Sequence, residues 1–563
     1  MKRWNVSILI VIVSFTAWQP ACATDASPAL FKRIDGAFAD YNTSSTPGCA
    51  LALVDHGRTV YERGYGLASI EHGVAIDPHQ TVFDTGSLSK QFTATSILLL
   101  EHDHKLSLDD NIRKYVPELP DYGTVVTLRQ LLHHTSGISD YLELLDLDGI
   151  NLEDVATDDD ALRALTRKKT LDFVPGSEFS YSNSGYFLLS LVVRRVSGKP
   201  LNMFAKERIF DQLGMSATSI LSDHTRIIAH RATPYDSDEP GKFRLSPSNW
   251  EQTGDGGVQS TVDDLAKWDD NFYRPRVGGQ WLVDELQTQG VLNDGSPIAY
   301  ANGVIVDRYR GLRTVSHRGV WGGFRAFAVR FPDQQVSAIA LCNVGNANPE
   351  QRLLAVADLY LAGTLKALPA RQRMTTSLAQ KYAGMYVNAG QGKLRIFKAK
   401  DNQLFYLDGS GTEEELAYLG KDKFQPARDS RLQIRFLTTS AGTRRVEVSS
   451  GGQGAMIFTE VAPFTPTAQD LHTYEGAYTC ADLTSGFTLK EENGSLTLRG
   501  ERGQAVPLEP AFDDAFFVSN VLFRFERDQS HTITGFTMSR DRVRKLKYVR
   551  VAPLETESTA LLH

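Results

Sequence analysis

Residues 83–92 read Phe83-Asp84-Thr85-Gly86-Ser87-Leu88-Ser89-Lys90-Gln91-Phe92 and lead into an apolar stretch up to Leu100 that is predicted to be helical. Ser87 and Lys90 are three residues apart, so on a helix they share a face and nearly touch. A serine hydroxyl is a weak nucleophile at neutral pH and needs a neighbouring base. A lysine that is desolvated at the buried end of a helix loses charge and can act as that base. The helix N-terminus also directs backbone N–H groups towards the place where an oxyanion would form.

The Ser-x-x-Lys spacing by itself is a weak signal, because a chain of this length contains it about once or twice by chance. Taken alone, Ser87 would be a helix cap and Lys90 a solvated charge. A second motif, Tyr181-Ser182-Asn183, lies in a turn-rich stretch just before the apolar segment 186–196. A tyrosine there can carry protons to and from Ser87, and the asparagine amide can hold both Lys90 and a substrate carbonyl.

A third motif, His317-Arg318-Gly319, stands at the head of a predicted apolar strand and is followed by Val320-Trp321-Gly322-Gly323-Phe324. Glycines at this place allow an extended substrate to pair with the strand edge. A backbone N–H of the same segment can complete an oxyanion hole. The three motifs together favour nucleophilic catalysis by a serine.

In this order, the three motifs resemble the signature of the serine β-lactamase and penicillin-binding protein superfamily. The resemblance covers residues 28–364, and the segments 128–137 and 254–260 resemble the connecting segments of that superfamily. The tyrosine in the middle motif is similar to class C β-lactamases, D,D-carboxypeptidases, related esterases and D-aminopeptidases. The resemblance implies a role for each matching residue: Ser87 as the acylated nucleophile, Lys90 as its proton partner, Tyr181 as general base or acid, Asn183 as ligand of the acyl amide, His317 and Gly319 as cleft-lining residues, and the N–H groups of Ser87 and Val320 as the oxyanion hole.

The sequence divides into a leader and three further blocks. Lys2 and Arg3, an apolar run over 6–15 and the small residues around Ala23 predict a signal peptide over 1–23. A lipid anchor on Cys22 is the rival interpretation, but Gln19 and Pro20 do not suit it. The main block, 24–367, has strand pairs at both ends and a long helical middle, which predicts an α+β domain with an antiparallel sheet flanked by helices, as in β-lactamases.

The region after residue 373 repeats itself at an offset of about ninety residues. Tyr382-Ala383-Gly384-Met385-Tyr386 matches Tyr474-Glu475-Gly476-Ala477-Tyr478, and Phe458-Thr459-Glu460-Val461 matches Tyr548-Val549-Arg550-Val551. Short alternating strands with Gly, Asn and Asp turns fill both copies. They predict two homologous antiparallel β-barrel domains, 374–461 and 469–551. This three-domain layout is similar to that of D-aminopeptidases, which implies barrels that flank or cap the cleft.

Composition narrows the remaining possibilities. The chain of 563 residues has a formal charge of -7 and no Lys/Arg run, so we expect no nucleic-acid partner and no membrane anchoring. Cys49 and Cys342 lie in apolar runs that are predicted to be strands, and buried thiols are expected there. No Cys/His spacing resembles a zinc site, and the segment 101–104, Glu-His-Asp-His, is interpreted as a solvated helix end. We therefore expect no metal and no cofactor.

These observations predict an exported serine peptidase, periplasmic or secreted, that hydrolyses short peptides through an acyl-enzyme on Ser87. Peptides with D-residues or non-ribosomal residues, such as linearised cyclic peptides, are the expected substrates. A carboxylesterase that uses the same residues is the main alternative, and a β-lactamase or a penicillin-binding protein without turnover is another. His317 stands where β-lactamases usually carry a lysine that holds a carboxylate, and a neutral imidazole holds an anion less well. The sequence leaves the oligomeric state open.

Overall fold

The computed structural model describes residues 28–239, 241–407, 413–426, 432–450, 455–500 and 505–551. The predicted signal peptide, 1–23, lies outside these residues. Within them, no helix combines the length and the apolar character needed to cross a membrane. The described chain forms an α+β domain followed by two closed antiparallel barrels, which confirms the predicted fold class.

An antiparallel sheet of six strands forms the centre of the first domain. The strand Arg58–Tyr65 forms one edge of the sheet, and the strand that precedes it in the chain, Cys49–Asp55, lies beside it. Alternate residues of Cys49–Asp55 pack into two different apolar cores, one on each face of the sheet. Because both faces are buried, the strand is a continuous apolar run. In spatial order the strands are Ile305–Tyr309, Leu312–Trp321, Phe324–Phe331, Val336–Cys342, Cys49–Asp55 and Arg58–Tyr65.

Helices cover both faces of this sheet. Pro28–Gly36 and Pro349–Tyr360 pack together on one face, and Val262–Asp270 packs on the other. The buried helix Lys90–His102 packs on Asn183–Ser197 behind the second face. The remaining α-helices of the described part of this domain are Leu128–Leu132, Tyr141–Leu147, Asp158–Arg167, Leu201–Ala205, Asp211–Leu213 and Gly279–Leu286. In its small sheets, Val258–Ser260 pairs with Phe83–Asp84 on one side and Ser219–Ile220 on the other, Leu67–Ser69 pairs with Val74–Ala75, and Tyr235–Glu239 pairs with Lys242–Leu245.

Cys49 and Cys342 form a disulfide bond between the neighbouring strands Cys49–Asp55 and Val336–Cys342 of the sheet. The strands and their burial were predicted, but the prediction of free thiols was wrong. The pairing of the first strand with the last brings the two residues face to face, although 293 positions separate them in the chain. Sequence spacing alone contains no sign of that strand register.

Each C-terminal block forms a closed barrel of eight antiparallel strands. The short helices Thr376–Tyr382 and Ala468–His472 precede the two barrels. The strands of the first barrel are Gly384–Asn388, Lys393–Lys400, Gln403–Leu407, Glu413–Gly420, Lys423–Pro426, Leu432–Thr438, Arg444–Ser450 and Met456–Val461. Those of the second are Gly476–Cys480, Gly486–Glu492, Ser495–Gly500, Val506–Pro510, Ala515–Val518, Val521–Arg527, Ile533–Arg540 and Val543–Val551.

Candidate active site

The segment around Ser87 begins as a tight 3-10 turn, Gly86–Ser89, and continues as the helix Lys90–His102. The carboxylate of Asp84 accepts a hydrogen bond from the N–H of Gly86 at 2.8 Å and so fixes the entry to the turn. Gly86 has a φ of +51°, and a Cβ there would lie 2.5 Å from the backbone N of Val320. Glycine is therefore required at this position by both conformation and space.

Lys90 is fully buried directly beneath Ser87. Its Nζ donates to Oγ of Ser87 at 2.9 Å, to Oδ1 of Asn183 at 2.8 Å and to the backbone O of Asp255 at 2.8 Å. Burial lowers the pKa of Lys90 to about 7. When the amine loses one proton, Asn183 and Asp255 can accept the two that remain, so its lone pair faces the Ser87 hydroxyl.

Asn183 is the first residue of the helix Asn183–Ser197, and Asp140 holds it in place. Oδ2 of Asp140 accepts from both the backbone N and Nδ2 of Asn183, at 2.7 and 2.9 Å. These bonds turn the amide oxygen of Asn183 towards Lys90. One N–H of the side-chain amide stays available for the substrate carbonyl that the resemblance assigns to it.

Tyr181 completes the group around the nucleophile. Its ring centroid is 4.9 Å from Nζ of Lys90 and 4.2 Å from the ring centroid of His134. Burial raises the pKa of Tyr181 above its ordinary value, and a hydrogen bond with Ser87 opposes that shift. His134 is buried and its Nδ1 accepts from the N–H of Ser182 at 3.1 Å, so it supports the segment that carries Tyr181.

His317 lies in the strand Leu312–Trp321 and uses both ring nitrogens. Nδ1 donates to the backbone O of Arg318 at 2.6 Å, and Nε2 accepts from the hydroxyl of Tyr300 at 3.0 Å. Burial, together with the nearby charge of Lys90, lowers the pKa of His317 to about 3. The imidazole is therefore neutral near pH 7 and offers no positive charge to a substrate.

Gly319 brings the same strand against the turn that carries Ser87. A Cβ on Gly319 would lie 2.0 Å from the backbone O of Thr85, so no other residue fits without a shift of the backbone. This close approach places the backbone N of Val320 beside Gly86 and next to the Ser87 turn. The arrangement suits an oxyanion hole formed by the N–H groups of Ser87 and Val320.

These residues open into a cavity of about 730 Å³. One part of its wall is aromatic, because Trp250 and Trp321 pack edge to face with ring centroids 6.0 Å apart. Another part is charged and comes in part from the second barrel. The lining residues include Ser87, Tyr181, Asn183, His317, Val320, Tyr141, Leu142, Glu143, Asp146, Ile150, Leu152, Trp250, Asp255, Trp321, Arg540 and Arg542.

The second barrel reaches this cavity through the turn between its last two strands, residues 540–544, which we name the docking turn. The backbone N of Arg542 donates to Oε2 of Glu143, and its backbone O accepts from the N of Asp140, both at 3.0 Å. Arg540 pairs with Asp146. Arg544, only 1% exposed, donates to Glu178 at 2.9 Å.

Two groups of side chains in the described part of the chain have the spacing of metal ligands. They are Glu62 with His79 and Asp263, and Asp223 with His224 and Glu251. None of these residues lines the cavity. His102, from the ligand-like segment in the sequence, stacks on Trp281 instead.

The structure brings the predicted site residues together: Ser87, Lys90, Tyr181, Asn183, His317, Gly319 and Val320. Sequence reasoning missed Asp140, which orients Asn183, and the docking turn with Arg542. Asp255 lies in the segment 254–260, to which the sequence assigned no role beyond that of a connecting segment. The one available signal for Arg542 was the repeat itself, because residues 540–544 read Arg-Asp-Arg-Val-Arg where the first copy reads Ser-Gly-Gly-Gln-Gly over 450–454.

The chain is similar to several known proteins. The chain is 28% identical to penicillin-binding protein 4* of Bacillus subtilis over 67% of its length and 90% of that protein. It is 26% identical to a D-aminopeptidase of Gluconobacter oxydans over 81% of its length and 84% of that protein. The structure of an octameric penicillin-binding protein homologue from Pyrococcus abyssi shares the fold, with a TM-score of 0.54 and 23% identity over 85% of this chain and 99% of the other.

The family described as Beta-lactamase matches residues 34–362, more than half of the chain. The match contains all three sequence motifs and the residues that meet around Lys90. The chain therefore belongs to the Beta-lactamase family and is a serine hydrolase built on that fold.

Proposed function

We propose that this protein is an exported serine peptidase that hydrolyses short peptides through an acyl-enzyme on Ser87. The observation that carries the proposal is the bond from Lys90 Nζ to Ser87 Oγ inside a cavity large enough for a peptide. A buried lysine with a pKa of about 7 is a base that works at neutral pH.

The proposed reaction has two stages. Lys90 accepts the proton of the Ser87 hydroxyl while Oγ attacks the substrate carbonyl, and the N–H groups of Ser87 and Val320 stabilise the oxyanion. Tyr181 donates a proton to the nitrogen of the departing amine. Tyr181, now a phenolate, then takes a proton from the water that attacks the acyl-enzyme, and Lys90 returns its proton to Oγ of Ser87 as the acid is released.

The substrate class is proposed from the relatives and the cavity. Relatives named D-aminopeptidase share the catalytic domain, which supports peptides with D- or non-ribosomal residues. The walls formed by Trp250, Trp321, Leu152 and Ile150 suit an apolar side chain beside the scissile bond.

Export is proposed from the leader predicted over 1–23. The disulfide between Cys49 and Cys342 supports it, because disulfides persist in oxidising compartments such as the periplasm. The mass of the mature protein, isolated from the periplasm or the medium of a bacterial host, tests this. Cleavage after Ala23 predicts an N-terminal Thr24, whereas an intact N-terminus contradicts export by this leader.

A substrate screen tests the activity. Wild-type protein and Ser87→Ala are compared on amino-acid p-nitroanilides, D- and L-dipeptides, p-nitrophenyl esters and nitrocefin. We expect amide hydrolysis by the wild type, no turnover by Ser87→Ala, and loss of fluorophosphonate labelling in the variant, measured by intact mass. Ester turnover with inert amides would establish the esterase instead, and nitrocefin turnover alone would establish the β-lactamase. Stoichiometric labelling of Ser87→Ala would remove Ser87 from the mechanism.

A further inference from the structure

The backbone of Arg542 is held firmly against the catalytic domain. Its N–H and C=O are both bonded across the domain boundary, to Glu143 and Asp140. On one side of it Arg540 pairs with Asp146. On the other, Arg544 is buried and paired with Glu178. A backbone fixed in this way directs the side chain towards the cavity without a further cost for ordering the backbone.

The guanidinium of Arg542 is held much less firmly than the backbone of this residue. Cζ lies 5.0 Å from the ring centroid of Tyr181, the same ring that Lys90 contacts. The nearest acids are Asp140, with Oδ2 at 3.8 Å from Nη1, and Asp541, with Oδ2 at 3.7 Å from Nε. Among the described residues, no acceptor is within hydrogen-bond distance of this guanidinium.

The two acids near Arg542 already have closer partners. Asp140 accepts from the amide of Asn183 at 2.9 Å, and Asp541 pairs with Lys393 of the first barrel at 3.0 Å. The side chain of Arg542 is 35% exposed and lines the cavity. A planar guanidinium carries five N–H donors in a geometry that matches a carboxylate. It therefore has unused donors where a substrate would bind.

Three other candidate cations near Ser87 are occupied, and Arg318 pairs with Glu350, while Arg231 and Arg325 also line the cavity. Both ring nitrogens of His317 are engaged with Tyr300 and Arg318. Lys90 is buried under Ser87, and Arg540 is paired with Asp146. We infer that Arg542, supplied by the second barrel, binds a carboxylate of the substrate and makes the enzyme selective for acidic peptides. The inference rests on the proposed function, since it names the substrate class for the same site.

Matched substrate pairs test this inference. Acetyl-D-Ala-D-Ala is compared with acetyl-D-Ala-D-alaninamide for a terminal carboxylate, and the p-nitroanilide of D-Glu with that of D-Gln for an acidic side chain. The wild type is expected to favour the acid of at least one pair in kcat/KM by about tenfold to a hundredfold, the range of one charge-assisted hydrogen bond. Arg542→Gln should abolish that preference, and Arg542→Lys should keep part of it.

The ratio within a pair isolates Arg542 from its neighbours. Any effect of the variant on the base Lys90 changes both members equally, because they use the same nucleophile. Arg499→Gln makes the same chemical change elsewhere on the second barrel, where Arg499 pairs with Glu492 on the surface, and should leave the ratio unchanged. An absence of acid preference in the wild type, or an equal fall of both members in Arg542→Gln, overturns the inference.

A second readout works even if the protein hydrolyses no peptide. The four compounds are added as competitors while a fluorophosphonate labels Ser87. If Arg542 holds a carboxylate, an acid slows labelling of the wild type more than its amide does, and Arg542→Gln removes the difference. Equal protection by acid and amide in the wild type overturns the inference. Absence of turnover overturns the proposed peptidase alone.

Discussion

The two barrels have the same number and order of strands, yet they meet the catalytic domain in different ways. Most buried apolar residues of the second barrel form one continuous cluster with the main core of the catalytic domain. Those of the first barrel form a cluster of their own, and a small third cluster joins Ile396 of the first barrel to Phe517 and Leu522 of the second. The first barrel therefore packs mainly on the second, and the second packs on the enzyme.

Polar contacts show the same division. The second barrel places the docking turn in the active-site cavity, while the first contributes Gln391, which donates to Glu178 at 2.9 Å, and Lys393, which pairs with Asp541. One copy of the repeat thus carries residues of the site, whereas the other contacts that copy through Lys393 and the catalytic domain through Gln391 without lining the cavity. Repetition of a fold leaves one copy free to acquire a role while both keep their cores.

Replacing the docking turn by the matching residues of the first barrel tests most directly whether only the second barrel contributes to the site. The variant R540S/D541G/R542G/V543Q/R544G removes Arg542 from the cavity and the contacts that hold the turn near Asp140. Because a small misplacement of catalytic groups costs about a hundredfold in rate, we expect kcat/KM on the best amide to fall by about that factor or more.

Circular dichroism and fluorophosphonate labelling are measured alongside, to separate a lost substrate site from a lost fold. Asp401→Gly is the control in the first barrel. Asp401 has a φ of +53° in a hairpin turn, which glycine adopts without strain. It should retain full activity. A turn replacement with kcat/KM within threefold of the wild type would show that the second barrel contributes no more to catalysis than the first.

The two barrels can also be compared at one acceptor. Glu178 accepts a hydrogen bond from Arg544 of the second barrel and another from Gln391 of the first. Arg544→Met leaves the carboxylate of a mostly buried ion pair without its positively charged partner. Glu178 is 34% exposed, so we expect a loss of about 2 kcal/mol, less than the roughly 3–5 kcal/mol of a pair buried on both sides.

Gln391→Ala removes only a neutral donor and should cost about 1 kcal/mol. The free energies of unfolding, measured by denaturant titration, give the comparison. Equal losses for the two variants would contradict a primary attachment through the second barrel.

The fold was predictable because its signals are local. Alternating strands around turns gave the hairpins at both ends of the catalytic domain, and the repeat of Tyr382-Ala383-Gly384 at Tyr474-Glu475-Gly476 predicted two barrels of one kind. The residues around Ser87 were predictable because their order in the chain is that of a known superfamily.

The features that were missed depend on contacts between distant segments. The disulfide between Cys49 and Cys342 requires the register of the first and last strands. Asp140 is one acid among many until its bond to Asn183 is seen. Arg542 is an ordinary charged turn residue until the second barrel docks. No periodicity within a segment reports how whole domains pack.

The smallest effect expected of the second barrel is on the pKa of the base, Lys90. Burial is the main cause that lowers the pKa of Lys90 to about 7, and the positive charge of Arg542 lowers it further, while Asp255 and Asp140 oppose the shift. Lys90 acts as a base only when it is neutral. We therefore expect kcat/KM for a neutral amide to rise with pH through a midpoint near 7, and to change about tenfold between pH 6 and pH 8.

Removal of Arg542 should move that midpoint upward, because a protonated Lys90 then meets less repulsion. The shift is expected to be less than about one pH unit, because burial and not Arg542 is the main cause of the lowered pKa of Lys90. Glu143, whose pKa burial raises to about 7, titrates in the same range and bonds to the docking turn. The profile of Glu143→Gln separates the two groups, since it should keep the midpoint while Arg542→Gln raises it. Gln391→Ala in the first barrel should leave the midpoint in place. If Arg542→Gln lowers the midpoint or leaves it unchanged, the second barrel does not act on Lys90 through its charge, and its part in the site is confined to the substrate.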